Sequence, residues 1–412
     1  MASVQSSVIN LTKTIIGAGL LAIPFAFKAD GLILGTILIL IAGIASSYGL
    51  YIVSQVSKKL PGDTSYFALC GITYPKLTLI FDFSIAIQCF GVALSYLVLI
   101  GDLVPSLINE VLSRNQVILL SLIIIIPLIS FRKLDSLKIG SLIGLLAIGY
   151  LTILVISHSI WDDWSKSQGH VKILEIGSIS QILSTFSIVV FAFTAAQNIC
   201  SIINEINDQS QVPKVITLAN LIASLLFLSV GFAGYLQFGD NVHGNVILEY
   251  KSKLLSSKIG KFALVLMVTL SYPLMFHPCR LSTNNMIHWI QQEISKNKTT
   301  STVVNERTGL INDEESGINE SNDEVPFSTN RFVLVTTLLT LGTYGLALSI
   351  KSFELVLSLV GATGSTLICF ILPGLFGFKL FPDNDINKSL SLSLTIFGFI
   401  VMIASVFATL YY

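Results

Sequence analysis

Residues 8–27 read VINLTKTIIGAGLLAIPFAF, and this stretch constrains the chain more than any other. It is apolar enough to lie in a bilayer, yet it is a poor straight helix. Gly17 and Gly19 sit at its centre, and Pro24 has no amide to give to a helix interior. In lipid every freed backbone group must find a partner, so an interrupted span persists only beside protein or a polar cavity. Exposed backbone at mid-membrane suits a small polar solute. Broken spans at matching places in two halves of a chain are a sequence pointer to a transport site. A kinked helix packed through its glycines fits this stretch equally well, so the rest of the chain must decide.

Of the 412 residues, 53% are hydrophobic and only 12% are charged, with a mean hydropathy of +0.79. Soluble domains carry about 25% charged residues. Many apolar runs approach the ~20 residues that cross the hydrocarbon layer. The chain therefore reads as an all-α multi-pass membrane protein. A formal net charge of zero offers nothing to nucleic acid. The start, MASVQSS, has no basic stretch of a secretory signal, so the first span is expected to target the chain. Cys70, Cys89, Cys200, Cys279 and Cys369 form no CxxC pair and read as small buried hydrophobes. No metal-ligand spacing, GxSxG or Walker A sequence occurs, so neither an enzyme nor a cofactor is expected.

About eleven spans are expected, at 8–27, 31–56, 77–105, 116–131, 138–158, 177–203, 214–236, 259–288, 331–350, 354–375 and 389–411. Apolar character fails inside the sixth, around Thr194–Asn198, and the tenth contains GATGST, another glycine-rich interruption. Residues 290–330 have few apolar groups and no periodicity, and they read as a disordered cytosolic loop. With the N-terminus in the cytosol, fourteen Lys and Arg fall in cytosolic loops and nine on the other side. The Asn-x-Ser/Thr sequons begin at Asn10, Asn297, Asn319 and Asn387, none in a loop placed outside.

Spans 1 and 6 are broken and spans 3 and 8 are long. An offset of five is what inverted repeats of five spans produce. Freed amides at half-helix N-termini suit a carboxylate, and unwound carbonyls and hydroxyls suit an ammonium. The candidate substrate contacts are Ile16, Gly17, Ala18, Gly19 and Leu20 from span 1, and Thr194, Gln197 and Asn198 from span 6. Lys13 lies one turn before the glycines; it either faces the site or snorkels to the cytosolic surface. His277 is the only histidine in an apolar run, where it either exchanges protons or packs.

NLTKTIIGAGLLAIPFAFKADG (10–31) resembles the first span of the amino acid/auxin permease family, in its fungal vacuolar amino acid transporter branch. FAFTAAQNICSIINEI (191–206) is similar to that branch's sixth span, and TLSYPLMFHPCR (269–280) to its eighth. The resemblance implies a LeuT-like five-plus-five fold with amino acid bound between spans 1, 3, 6, 8 and 10. It also implies a vacuole-membrane location, proton coupling and Asn10 and Thr269 at the cation positions of sodium-coupled relatives. The branch has Cys-His before Gln-Asn in span 6, where this chain has Ala195 and Ala196. The expected function is proton-coupled export of neutral amino acids to the cytosol, with no charge clearly lining the site. The alternative is an amino acid sensor or scaffold signalling through 290–330 without net transport.

Overall fold

The computed structural model describes residues 3–60, 62, 64–130, 138–161, 169–206, 208–250, 254–303 and 327–411. Over these residues the chain is helical. It opens with α1 (Val4–Ile15), capped by the Ser3 side chain, which accepts from the Ser6 amide. A short 3-10 turn (Ala18–Ala22) leads into α2 (Ile23–Val56). Pro24 is therefore not a break: it sits in the first turn of α2, where its missing amide costs nothing. The backbone of α2 is interrupted at Gly31, with φ 69° and ψ 170°. A Cβ there would stand 2.7 Å from the Glu175 carbonyl oxygen, so both φ and space require glycine.

The connection to the next long helix carries α3 (Tyr66–Thr73). There follow α4 (Thr78–Leu107), α5 (Arg114–Ser130) and α6 (Lys138–Trp161). The sixth expected span is two helices, α7 (Ile179–Ala192) and α8 (Ala196–Glu205). A capping box built from Ser178 and Gln181 starts α7. Then come α9 (Val212–Phe238) and α10 (Leu255–Val303), the latter containing Pro273 and Pro278. The tract expected to be disordered from 290 thus continues as helix through 303, and residues 304–326 lie outside the described residues.

The chain closes with α11 (Thr329–Ser349), α12 (Phe353–Val360), α13 (Leu372–Leu380) and α14 (Ile386–Leu410). Between α12 and α13 the GATGST stretch is wound as a π-helix rather than interrupted. The reason is close packing. A Cβ on Gly361 would stand 1.9 Å from the Ser187 oxygen, and one on Gly364 2.8 Å from the Gln88 Cα.

Among the described residues nine helical runs are long and apolar enough to cross a membrane, and α5 is a shorter apolar helix. Ile44, Ile123, Ile153, Leu341 and Ile400 are exposed on the outer surface of the bundle. Such an aliphatic surface belongs in lipid, not in water. All five cysteines are buried and free, as small apolar residues would be.

The helix contacts come in matched sets. The centre pairs α4 with α10, and α2 with α9. α1 packs on α9 while α2 packs on α7; α6 packs on α10 while α4 packs on α12. Likewise α6 meets α9 while α2 meets α13, and α5 meets α10 while α4 meets α11.

Candidate functional site

The two unwound segments lie side by side. In the first, the Ile16 amide closes α1 on the Thr12 carbonyl at 2.8 Å. The Gly17 amide then folds back to the Ile15 carbonyl at 2.9 Å, and the Leu20 amide reaches the Gly17 carbonyl at 3.2 Å. The Ala18 and Gly19 amides, at the start of this turn, are left without an intrahelical acceptor, as at any helix N-terminus. In the second segment α7 ends with Phe193 amide to Val189 carbonyl, 3.2 Å, and Thr194 amide to Phe191 carbonyl, 3.0 Å. Helix α8 then begins at Ala196 with no side-chain cap. The freed Phe193 carbonyl is covered by the Ser46 hydroxyl of α2 at 3.0 Å. The break thus falls at 193–195, slightly before the expected 194–198, because Gln197 and Asn198 already belong to the first turn of α8.

Between the segments lies a cavity of about 280 Å³. Lys13, Ile16, Gly17, Ala18 and Gly19 wall it on one side, and Thr194, Gln197 and Asn198 on the other. A side-chain bridge joins the two, since the Asn198 amide donates to the Thr14 hydroxyl at 3.0 Å and that hydroxyl donates to the Asn10 carbonyl at 2.9 Å. Gln197 Oε1 is buried and has no hydrogen-bond partner in the protein. An acceptor left so at a polar cavity suits an ammonium group.

The two central glycines differ. A Cβ on Gly17 would meet nothing within 4 Å, whereas one on Gly19 would stand 2.8 Å from the Ala192 Cα and 2.9 Å from its Cβ. Gly17 borders open space, and Gly19 lets the two broken spans touch.

Four of the candidates lie outside this cavity. Leu20 is buried in the apolar core and does not reach the cavity. Asn10 is exposed on α1, away from the cavity wall. Thr269 donates its hydroxyl to the Val265 carbonyl at 2.7 Å and is not in the wall. His277 is half-buried further along α10 and is not in the wall. Of the four coupling candidates only Lys13 lines the cavity, half-buried, so snorkelling does not take it out of the site.

Other wall residues were missed. Gln88, Val92 and Tyr96 project from α4, and Met267, Ser271 and Met275 from α10. Each trio is spaced by four residues and therefore shares a helix face. Gln88 and Tyr96, polar residues inside a long apolar span, were the available signal; Met267 and Met275 had none. Gln88 is fixed by the Ser365 hydroxyl, which donates to its Oε1 at 3.0 Å and so ties α4 to the π-helical turn.

Replacing Thr14 by valine removes the bridge between the broken spans. The expected cost is about 0.5–1.5 kcal/mol, read as a lower melting temperature with residual uptake. Unchanged stability would mean that the Asn198 contact is made equally well by water.

The family model for "Transmembrane amino acid transporter protein" matches residues 1–411. Among curated relatives, "Vacuolar amino acid transporter 7" of Saccharomyces cerevisiae is 39% identical, over 99% of this chain and 98% of that protein. "Vacuolar amino acid transporter 6" of the same yeast is 37% identical over 100% and 99% of the two chains. "Vacuolar amino acid transporter 5" of Schizosaccharomyces pombe is 37% identical over 97% and 92%. With its helices long and apolar enough for a membrane and its two unwound segments around one cavity, the chain belongs to the transmembrane amino acid transporter family, the amino acid/auxin permeases, and is a transporter rather than an enzyme.

Proposed function

We propose that the protein carries amino acids across the vacuolar membrane by alternating access, coupled to protons. The observation that carries this reading is the central cavity walled jointly by both unwound segments. Its freed amides suit the substrate carboxylate, and Gln197 Oε1 suits the substrate ammonium. The vacuolar location is the one named for the yeast relatives.

Division of the first apolar run at Gly31, with α5 taken as a crossing, makes eleven spans of the nine long runs. The matched contacts favour a five-plus-five inverted repeat of the LeuT type. Exchanging span 1 with 6, 2 with 7, 3 with 8, 4 with 9 and 5 with 10 maps the two central pairs onto themselves and each remaining packing pair described above onto its match. With the N-terminus cytosolic, the cavity faces the cytosol, because exposed Asn198 and half-buried Lys13 and Thr14 form its mouth. The opposite end is shut where segment 169–177 meets the end of α9. There the Asp240 amide bonds the His170 carbonyl at 3.0 Å, and Lys172 pairs with Asp240 at 3.2 Å.

Neutral amino acids remain the proposed substrates, but for a different reason. Lys13 places a cation in the wall, and no Asp or Glu lines it. The ammonium attracts the substrate α-carboxylate and repels a cationic side chain, which ranks neutral above basic amino acids. The acidic lumen makes proton symport towards the cytosol downhill, so export is the direction proposed.

Uptake of radiolabelled amino acids into proteoliposomes, with and without an imposed pH gradient, tests the whole reading. Gradient-stimulated accumulation is expected. Saturable binding without accumulation, in protein shown to be folded, would favour a sensor. His277→Ala is expected to leave the pH profile of uptake unchanged, since His277 lies outside the cavity wall. A flattened profile would restore it to the proton path.

A further inference from the structure

We propose that Asp30 binds a proton whose occupancy is linked to closure of the end of the molecule away from the cavity mouth; this rests on the proton-coupled reading above. Asp30 was not among the expected coupling residues. It is fully buried at the Gly31 interruption of α2. Its Oδ1 lies 2.9 Å from the Thr185 hydroxyl of α7, and its Oδ2 is buried with no partner.

The hydrogen count favours the neutral acid. Thr185 Oγ1 also lies 2.9 Å from the Gln181 carbonyl of its own helix, and a hydroxyl has one proton to give. If that proton goes to Gln181, the contact with Asp30 needs a proton from Asp30. The unpartnered Oδ2 is then an ordinary carbonyl oxygen. With a bare carboxylate it would be a buried anion with neither cation nor donor, which is far costlier.

The lysines of the surrounding segments are engaged elsewhere. Lys28, on the same helix, donates to the Val242 carbonyl at 3.3 Å. Lys172, from the segment packed on Gly31, pairs with Asp240. Glu175 lies on that same segment, and Glu354 is in the first turn of α12. Helix α7 carries no charge, and the only charged residues of α9 and α14, Lys214 and Lys388, lie in their first turns, away from Thr185 and Asp240.

A route to solvent stands one side chain away. Thr185 lines a second cavity, of about 570 Å³, together with Lys28, Lys172, Asp240 and Glu354. This end is closed by a strip of backbone bonds: Leu32 amide to Lys172 carbonyl, 3.0 Å, Ile33 to Ile173, 3.2 Å, and Gly177 to Ala29, 2.7 Å. Parting that strip would admit water to Asp30. Asp30 then exchanges its proton with that water: its O–H bond breaks to leave a solvated carboxylate, and the reverse transfer protonates it again. Closing the strip dries the site and favours the neutral acid, so proton occupancy and closure of this end are linked.

The test uses the full chain in proteoliposomes. In Asp30→Asn the stimulation of uptake by a pH gradient is expected to vanish, while gradient-free exchange of labelled amino acid persists. Wild-type stimulation in that variant overturns the proposal. Should Asp30→Asn fail to fold, Thr185→Val is expected to shift the pH of half-maximal uptake, and an unshifted profile overturns it. Infrared difference spectra separate this proposal from the coupling itself. A protonated-carboxyl C=O band at neutral pH that is lost in Asp30→Asn supports the site, and an unaltered spectrum overturns it. Wild-type uptake indifferent to the gradient removes the proton-coupled reading, and the band then decides Asp30 alone.

Discussion

Gly17→Val is expected to abolish amino acid transport while the protein still folds and reaches the membrane. A Cβ at Gly17 meets no protein atom within 4 Å, so valine need not displace a neighbour. It would project where the cavity is walled by the unwound end of α1, beside the Ala18 and Gly19 amides proposed for the substrate carboxylate. A pocket methylene group is worth about 1–3 kcal/mol, or roughly 10- to 200-fold in rate. Valine adds more than one such group, so the loss should lie at the upper end. The measurement is initial uptake against a melting curve of the same preparation. Wild-type uptake would remove the span 1 break from the substrate site.

Gly19→Val, two residues further on, should fail in the opposite manner. Its Cβ would stand 2.8 Å from the Ala192 Cα, and backbone cannot swing aside as a side-chain tip can. Either the turn at Ala18–Ala22 moves away from α7 or the two broken spans part. Overpacking of this kind costs about 1–3 kcal/mol. The expected result is a lower melting temperature and poor yield, with transport falling in proportion to folded protein. A stable but inactive Gly19→Val would make Gly19 a substrate contact like Gly17. The pair therefore separates the two readings of the glycine motif, solute contact and helix packing.

Much of the architecture was legible in the chain because lipid punishes an unpaired backbone group. The interruptions around Gly17 and in the 194–198 region were visible as lost apolar continuity, and both became unwound segments beside a cavity. The tenth span shows the limit of that signal. GATGST looked like a third interruption, yet it stays helical, since Gly361 and Gly364 serve contact with α7 and α4 and not unwinding. Composition cannot distinguish a glycine that frees the backbone from one that lets another helix approach.

The site was half legible for a related reason. Residues at the breaks declare themselves by breaking a pattern, and Ile16 to Gly19, Thr194, Gln197 and Asn198 line the cavity. Gln88, Tyr96 and Ser271 lie on unbroken helices, where only the facing partner reveals whether a polar group meets substrate or another helix. Lys13 illustrates the same point: its distance from the span start allowed it to reach the surface, and only the fold of α1 against α8 puts it in the wall.

The sequence by itself determined the solvent, the helices and the places where the first and sixth spans unwind, because hydropathy and backbone chemistry are local properties. It also carried the family motif. Tertiary structure alone decided that Gly17 borders space while Gly19 borders Ala192, and that Leu20, Asn10, Thr269 and His277 stand outside the cavity. It alone joined Asp30 to Thr185 across 155 positions of chain. Those outcomes depend on which faces meet, and a face acquires its meaning only from the helix packed against it.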